Sequence, residues 1–162
     1  MSNHFYDQTF GRHAESNHIF LHTEDGDISF EVFAALSSQL ANALVSAGMT
    51  AGDRVAVQAE KSASLLALCA ATMRAGGVYL PLNTDYTPVE LDYFVSDARP
   101  AIIITDPAAM ADIQPLADKI GATLFTLDAH GNGSLAAAAA DAPKTFETVA
   151  RGPDDLAAIL YT

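Results

Sequence analysis

The chain has 162 residues, which is one domain of ordinary size, and half of them are apolar while only 17% are charged. That composition excludes intrinsic disorder, a coiled coil, collagen and a disulfide scaffold. Eight Lys and Arg against twenty Asp and Glu give a net charge of 8 − 20 = −12, which repels phosphate backbones and anionic lipid and argues against nucleic-acid and membrane partners.

The start, MSNHFYDQTF, is polar and unlike a signal peptide. No stretch approaches the roughly 20 apolar residues of a spanning helix. The single cysteine, Cys69, cannot form an internal disulfide. The expected setting is therefore soluble, reduced and cytoplasmic.

Punctuation is regular from Asp27 onward, with short strand-like runs alternating with longer segments of helical spacing. His18–His22 and Asp27–Phe30 flank Asp25-Gly26, a turn dipeptide, and predict a small N-terminal hairpin. Ser29 is placed to cap a helix over Glu31–Ala47. Phe33, Leu36, Leu40 and Leu44 share its apolar stripe, Ser38, Asn42 and Ser46 fall elsewhere, and Gly48 ends it. Arg54–Ala59 reads as a strand, and Ser62 opens a second helix that runs to Ala75 and stops at Gly76-Gly77.

Val78–Leu82 is a short strand in which Pro81, having no backbone donor, belongs at an end or an edge. Thr87-Pro88-Val89-Glu90 has the composition of a capping box with proline at the first helical position, and predicts a helix to Ala98. Ala101–Thr105 is an apolar run suited to a strand covered on both faces. Asp106-Pro107 opens a helix ended by Gly121. Thr123–Asp128 is a further strand, Gly131–Ser134 a flexible loop, and Ala136–Ala140 a short helix. Leu156–Thr162, after the turn at Pro153-Asp154-Asp155, reads as the beginning of a buried strand. The fold class is α/β: a doubly wound, mostly parallel sheet with helices on both faces, plus the hairpin.

Candidate chemistry is sparse. His4, His13, His18 and His22 gather near the start, but no ligand spacing for a metal accompanies them. Cys69 lies mid-helix among Leu68, Ala70 and Ala71, with no cationic neighbour in sequence, and reads as a small core residue. Glu24, Asp25 and Asp27 read as a solvated turn rather than a calcium loop. Asp154-Asp155 reads as a turn and cap. Gly76-Gly77 follows a helix and so presents no helix N-terminus to a phosphate; the Gly131–Ser134 stretch lacks the third glycine of a dinucleotide fingerprint. No catalytic residue and no metal site is assigned.

As a pattern, the sequence resembles the N-terminal part of the adenylate-forming acyl-CoA synthetases. ISFEVFAALSSQLANALVSAGMTAGDRVAVQAEKS is similar to the family's opening helix, Gly-Asp turn and first core strand, and MRAGGVYLPLN (Met73–Asn83) to its Ala-Gly-Gly helix end and Pro-terminated strand. ELDYFVSDARPAIIITD follows in the same order, and DDLAAILYT (Asp154–Thr162) resembles the strand that leads into the family's Thr-Ser-Gly-Thr-Thr-Gly phosphate loop. VQAEKS with YLPLNTDYTPVELDYF is most like malonyl-CoA synthetases within the family.

The resemblance implies an ATP-dependent acid–thiol ligase using ATP, CoA and Mg²⁺ on a malonate-like carboxylate. It makes residues 1–162 an N-terminal subdomain cut before the phosphate loop, with Thr162 alone matching that loop's first residue and binding ATP. Taken alone, the chain is then expected to be inactive, to bind none of these cofactors, and to self-associate through surfaces meant to be covered. The alternative is a free-standing flavodoxin-like binding or scaffold module without catalysis.

Overall fold

Three side-chain caps set the helices that flank the sheet. Ser29 Oγ accepts from Val32 N–H at 3.2 Å and starts α2 (Phe30–Ser46), and Ser62 Oγ accepts from Leu65 N–H at 3.0 Å and starts α3 (Ala63–Arg74). Thr87 and Glu90 close the capping box of α4 (Pro88–Ala98), with Glu90 Oε2 2.8 Å from Thr87 N. The computed structural model describes residues 2–161. The remaining elements are α1 (His4–Thr9), β1 (Ile19–Thr23), β2 (Gly26–Ser29), β3 (Arg54–Gln58), β4 (Val78–Pro81), β5 (Ile102–Thr105), α5 (Met110–Ile120), β6 (Thr123–Thr126) and α6 (Ser134–Ala139).

β1 and β2 form the antiparallel hairpin, and the other strands form a parallel sheet in the order β4-β3-β5-β6. Strand side chains alternate between two covered faces. Val55, Val57, Ile102 and Ile104 pack with α2 and α3, whereas Ala56, Leu80, Ile103 and Leu124 pack with α4 and α5. All four residues of β5 are buried. Pro81 is the last residue of β4, which is the outermost strand of this sheet, where a missing donor costs no ladder bond.

Several local expectations shift. The hairpin turn is Glu24-Asp25, one residue early, and Gly26 enters β2 at φ +123. β3 and β6 stop at Gln58 and Thr126, earlier than their sequence boundaries. α5 is preceded by a 3-10 turn, Pro107–Ala109, capped by Asp106. α1 is an element the sequence pattern does not predict. Its cap, Asn3, is 1% exposed and donates through Nδ2 to Met73 O at 2.8 Å and Val149 O at 3.0 Å, so residues 70 or more positions away hold it in place.

The polar side of α2 is only partly solvated. Ser46 is exposed, but Ser38 is buried and Asn42 half-buried, because the extended segment 141–149 lies across this part of the helix. Asn42 Nδ2 donates to Pro143 O and Thr145 O, both at 3.0 Å, and Gln39 Nε2 to the carbonyls of Ala139, Ala140 and Ala142 at 3.2–3.3 Å. Arg74, at the end of α3, completes the grip. It donates to Ser38 Oγ (2.6 Å), Phe146 O (2.9 Å) and Thr148 Oγ1 (3.1 Å), with its guanidinium 5.3 Å from the Tyr6 ring centroid.

The segment after Leu156 is also not the buried strand expected. It makes an isolated parallel bridge, Tyr79↔Ala158, on the outer edge of β4, and leaves Leu156 57% and Leu160 71% exposed. No helix among the described residues is long and apolar enough to cross a membrane.

Candidate functional site

In an open parallel sheet, ligands bind beyond the carboxyl ends of the strands where the winding reverses. Here the chain passes from β3 outward to β4, then back across to β5 on the other side of β3. The switch point is therefore the crevice between the carboxyl ends of β3 and β5. Beside it, at the carboxyl ends of β3 and β4, opens a cavity of about 350 Å³ with Val57, Ala59, Glu60, Lys61, Tyr79 and Asn83 in its wall. A second, of about 260 Å³, lies on the α4/α5 side between Gln58, Tyr86, Leu91, Asp112 and Ile113.

Gln58 ends β3 and is only 7% exposed; its Nε2 donates to Asn83 O at 2.9 Å and ties the loop after β4 to the strand. Beside it in the sheet register stands Thr105, the last residue of β5, fully buried and with no partner for its hydroxyl among the described residues. Lys61 is exposed and brings a positive charge to the larger cavity, with Glu60 as its neighbour. Burial pushes the Tyr79 phenol well above its ordinary value. These groups can hold a ligand or a neighbouring segment. They include no nucleophile paired with a base.

The residues singled out in the sequence are dispersed. His4, His13, His18 and His22 are all exposed, and His22 Nδ1 lies 2.6 Å from Asp27 Oδ1 within the hairpin. Among the described residues no three His, Cys, Asp or Glu side chains converge on a metal position. Cys69 is half-buried, and burial pushes its thiol up to about 11, opposite to the shift that makes a cysteine reactive. Glu24 and Asp25 form the hairpin turn. Asp155 accepts from Gly152 N–H at 2.7 Å and lies 3.6 Å from Arg151.

Gly76 follows α3 as a stop. The Gly131–Ser134 stretch departs from the flexible loop expected. Asp128 accepts from the backbone N–H of His130 at 2.9 Å and of Asn132 at 2.8 Å, and Ser134 Oγ accepts from Thr126 N–H at 2.9 Å. Thr162 lies outside the described residues. The residue before it is well placed: Tyr161 packs on Phe94 with ring centroids 4.5 Å apart, and its hydroxyl donates to Asp97 Oδ2 at 2.6 Å. Gln58 and Asn83 are site residues that sequence reasoning missed, although each carries a signal, a polar residue at the end of an apolar strand or just after it. Asp97 carries none, since its partner is 64 positions away.

The profile of the family described as "AMP-binding enzyme" matches residues 8–162. The crystal structure of apo MatB from Rhodopseudomonas palustris is 48% identical and superposes with a TM-score of 0.95, over 100% of this chain and 32% of that one; the ATP-bound structure of MatB gives the same figures. An acyl-CoA synthetase from Brucella canis shares the fold at 24% identity and a TM-score of 0.85, over 97% of this chain and 31% of that one. Tyrocidine synthase 3 of Brevibacillus parabrevis is 29% identical over 137 residues, which is 83% of this chain and 2% of the synthase. The chain thus spans about a third of the length of these solved structures and a small part of that curated relative. With a family profile running through nearly all of the sequence and a fold that superposes over its whole length, the chain belongs to the AMP-binding enzymes.

Proposed function

We propose that residues 1–162 are the N-terminal subdomain of an ATP-dependent acid–thiol ligase that makes malonyl-CoA, or a related acyl-CoA, through an acyl adenylate. The observation that carries this reading is the 48% identity to MatB over the whole chain, in a fold that has been seen with ATP bound in MatB. In the reaction, a carboxylate oxygen attacks the α-phosphorus of ATP and pyrophosphate leaves. The CoA sulfur then attacks the acyl carbon and AMP leaves.

Among the described residues no three His, Cys, Asp or Glu side chains converge on a cation position; on this reading the phosphate loop beginning at Thr162, the Mg²⁺ ligands and the acyl pocket belong to a following part of a longer protein. The −12 charge fits that division. ATP, CoA and malonate are anions, and cationic groups must come from elsewhere to receive them. A cell compartment holding ATP and CoA, the cytoplasm, suits the reaction. The exposed Leu156 and Leu160 are the surface that the rest of the enzyme would cover, and in the isolated chain they favour self-association.

The test is ATP–pyrophosphate exchange with malonate. It is expected in the full-length protein and absent from the 162-residue chain. Exchange catalysed by the purified short chain, or a reading frame ending at Thr162, would overturn the proposal.

A further inference from the structure

The backbone bonds that hold the last segment to β4 are Tyr79 N–H to Ala157 O at 2.9 Å and Ile159 N–H to Tyr79 O at 3.0 Å. Among the described residues no backbone bond holds 160 or 161, and Leu160 points to solvent with 71% of its surface exposed. Because the segment runs parallel to β4, it travels toward the carboxyl end of the sheet, where the larger cavity opens. The chain therefore passes its last rung of strand pairing before it reaches the site level. Among the described residues beyond Ile159, the side chain that takes hold of the fold is that of Tyr161.

We propose that Tyr161, held by Phe94 and Asp97 of α4, is a positioning residue for the ATP-binding loop. This rests on the reading above that the loop starts at Thr162. The ring lies 4.5 Å from Phe94, which itself lies 4.8 Å from Tyr86 in front of α4, and the hydroxyl makes a short bond to the Asp97 carboxylate. The tilted ring contact fixes distance from the helix, while a hydrogen bond to a charged acceptor fixes direction. Desolvation, and after it the Asp97 hydrogen bond and charge, push the phenol up to about 12, so it stays a neutral donor throughout the range in which such a ligase would be assayed. α4 is itself a firm anchor, because Leu91, Val95 and Ala98 are buried in the core and its start is locked by the Thr87–Glu90 box.

The experiment uses the full-length protein with Tyr161→Phe, Asp97→Ala, Asp97→Asn and the Tyr161→Phe/Asp97→Ala pair. KM for ATP, KM for CoA, kcat and thermal midpoint are measured for each. Loss of one charge-assisted bond at a half-exposed site is expected to raise KM for ATP by about 3- to 10-fold in Tyr161→Phe and Asp97→Ala, with KM for CoA unchanged. Asp97→Asn keeps an acceptor oxygen and should return KM for ATP to near the wild-type value. The double variant should be no worse than the singles, because both remove the same bond. An unchanged KM for ATP in Tyr161→Phe, or a fall in kcat and thermal midpoint with KM for ATP constant, would assign the pair a merely structural role and overturn the proposal. Absence of any ATP-dependent exchange in the wild-type protein is a separate outcome, seen before any substitution, and it removes the functional reading together with this inference.

Discussion

Replacing Arg74 with Met should loosen the whole segment 141–149 without disturbing the apolar packing of the arginine stem, which methionine largely retains. The guanidinium makes three hydrogen bonds, to Ser38 Oγ, Phe146 O and Thr148 Oγ1 at 2.6, 2.9 and 3.1 Å. It also lies over the faces of Tyr6 and Phe146 at 5.3 and 6.0 Å. Ser38 keeps its own bond to Ala34 O at 2.7 Å, so the orphaned groups are mainly Phe146 O and Thr148. Discounting for the half-buried site, the loss amounts to about 2–3 kcal/mol. For a domain of this size that lowers the thermal midpoint by about 4–12 °C. Circular dichroism melting measures the shift, and limited proteolysis should show new cleavage within 141–149. A midpoint change below about 2 °C with an unaltered cleavage pattern would refute the idea that Arg74 is the hub of this clasp.

Two further outcomes test local geometry. Gly133 sits at φ +136 with the Thr126 carbonyl pressed against the position a Cβ would take. Gly133→Ala should therefore cost at least about 2 kcal/mol in urea unfolding, and a near-wild-type midpoint would count against the tight approach of that loop to β6. The backbone bond from Asn132, ahead of that residue's side chain and the His130 N–H, holds the Asp128 carboxyl below the usual aspartate range. A depressed folded pKa means a contribution that is complete above the unfolded value of about 3.9 and is lost as pH falls through the folded one. Protection of the 130–132 amides, relative to their intrinsic exchange, should therefore fall in that acid window, and Asp128→Asn should remove this pH-dependent loss of protection. A titration of Asp128 at the ordinary aspartate value would contradict the network.

What is legible in the sequence is what local chemistry decides. The caps at Ser29, Ser62 and Thr87 each act over three residues, and the β-branched run at 102–104 is buried because nothing in it can tolerate water; both are readable without knowing the fold. α1 is not legible. A six-residue polar helix is unstable alone and exists here because Asn3 bonds carbonyls at 73 and 149. Asn42 of α2 misleads for the same reason, since its cover arrives a hundred residues later. At the candidate site, the motif around Met73–Asn83 points to the family, but the use of Gln58, Asn83 and Asp97 depends on which strand ends and helix turns become neighbours. Only the sheet order determines that.

The clasp on α2 takes hold of the main chain. Gln39 and Asn42 between them meet five carbonyl oxygens between Ala139 and Thr145, and every amino acid offers a carbonyl. The exposed alanines of this passage, Ala137, Ala138 and Ala140, can thus be exchanged so long as the path is kept, whereas the buried Leu135 and Ala139 and the two amides that read the main chain cannot. Low complexity here is permitted by the way the segment is recognised and signals no lack of structure.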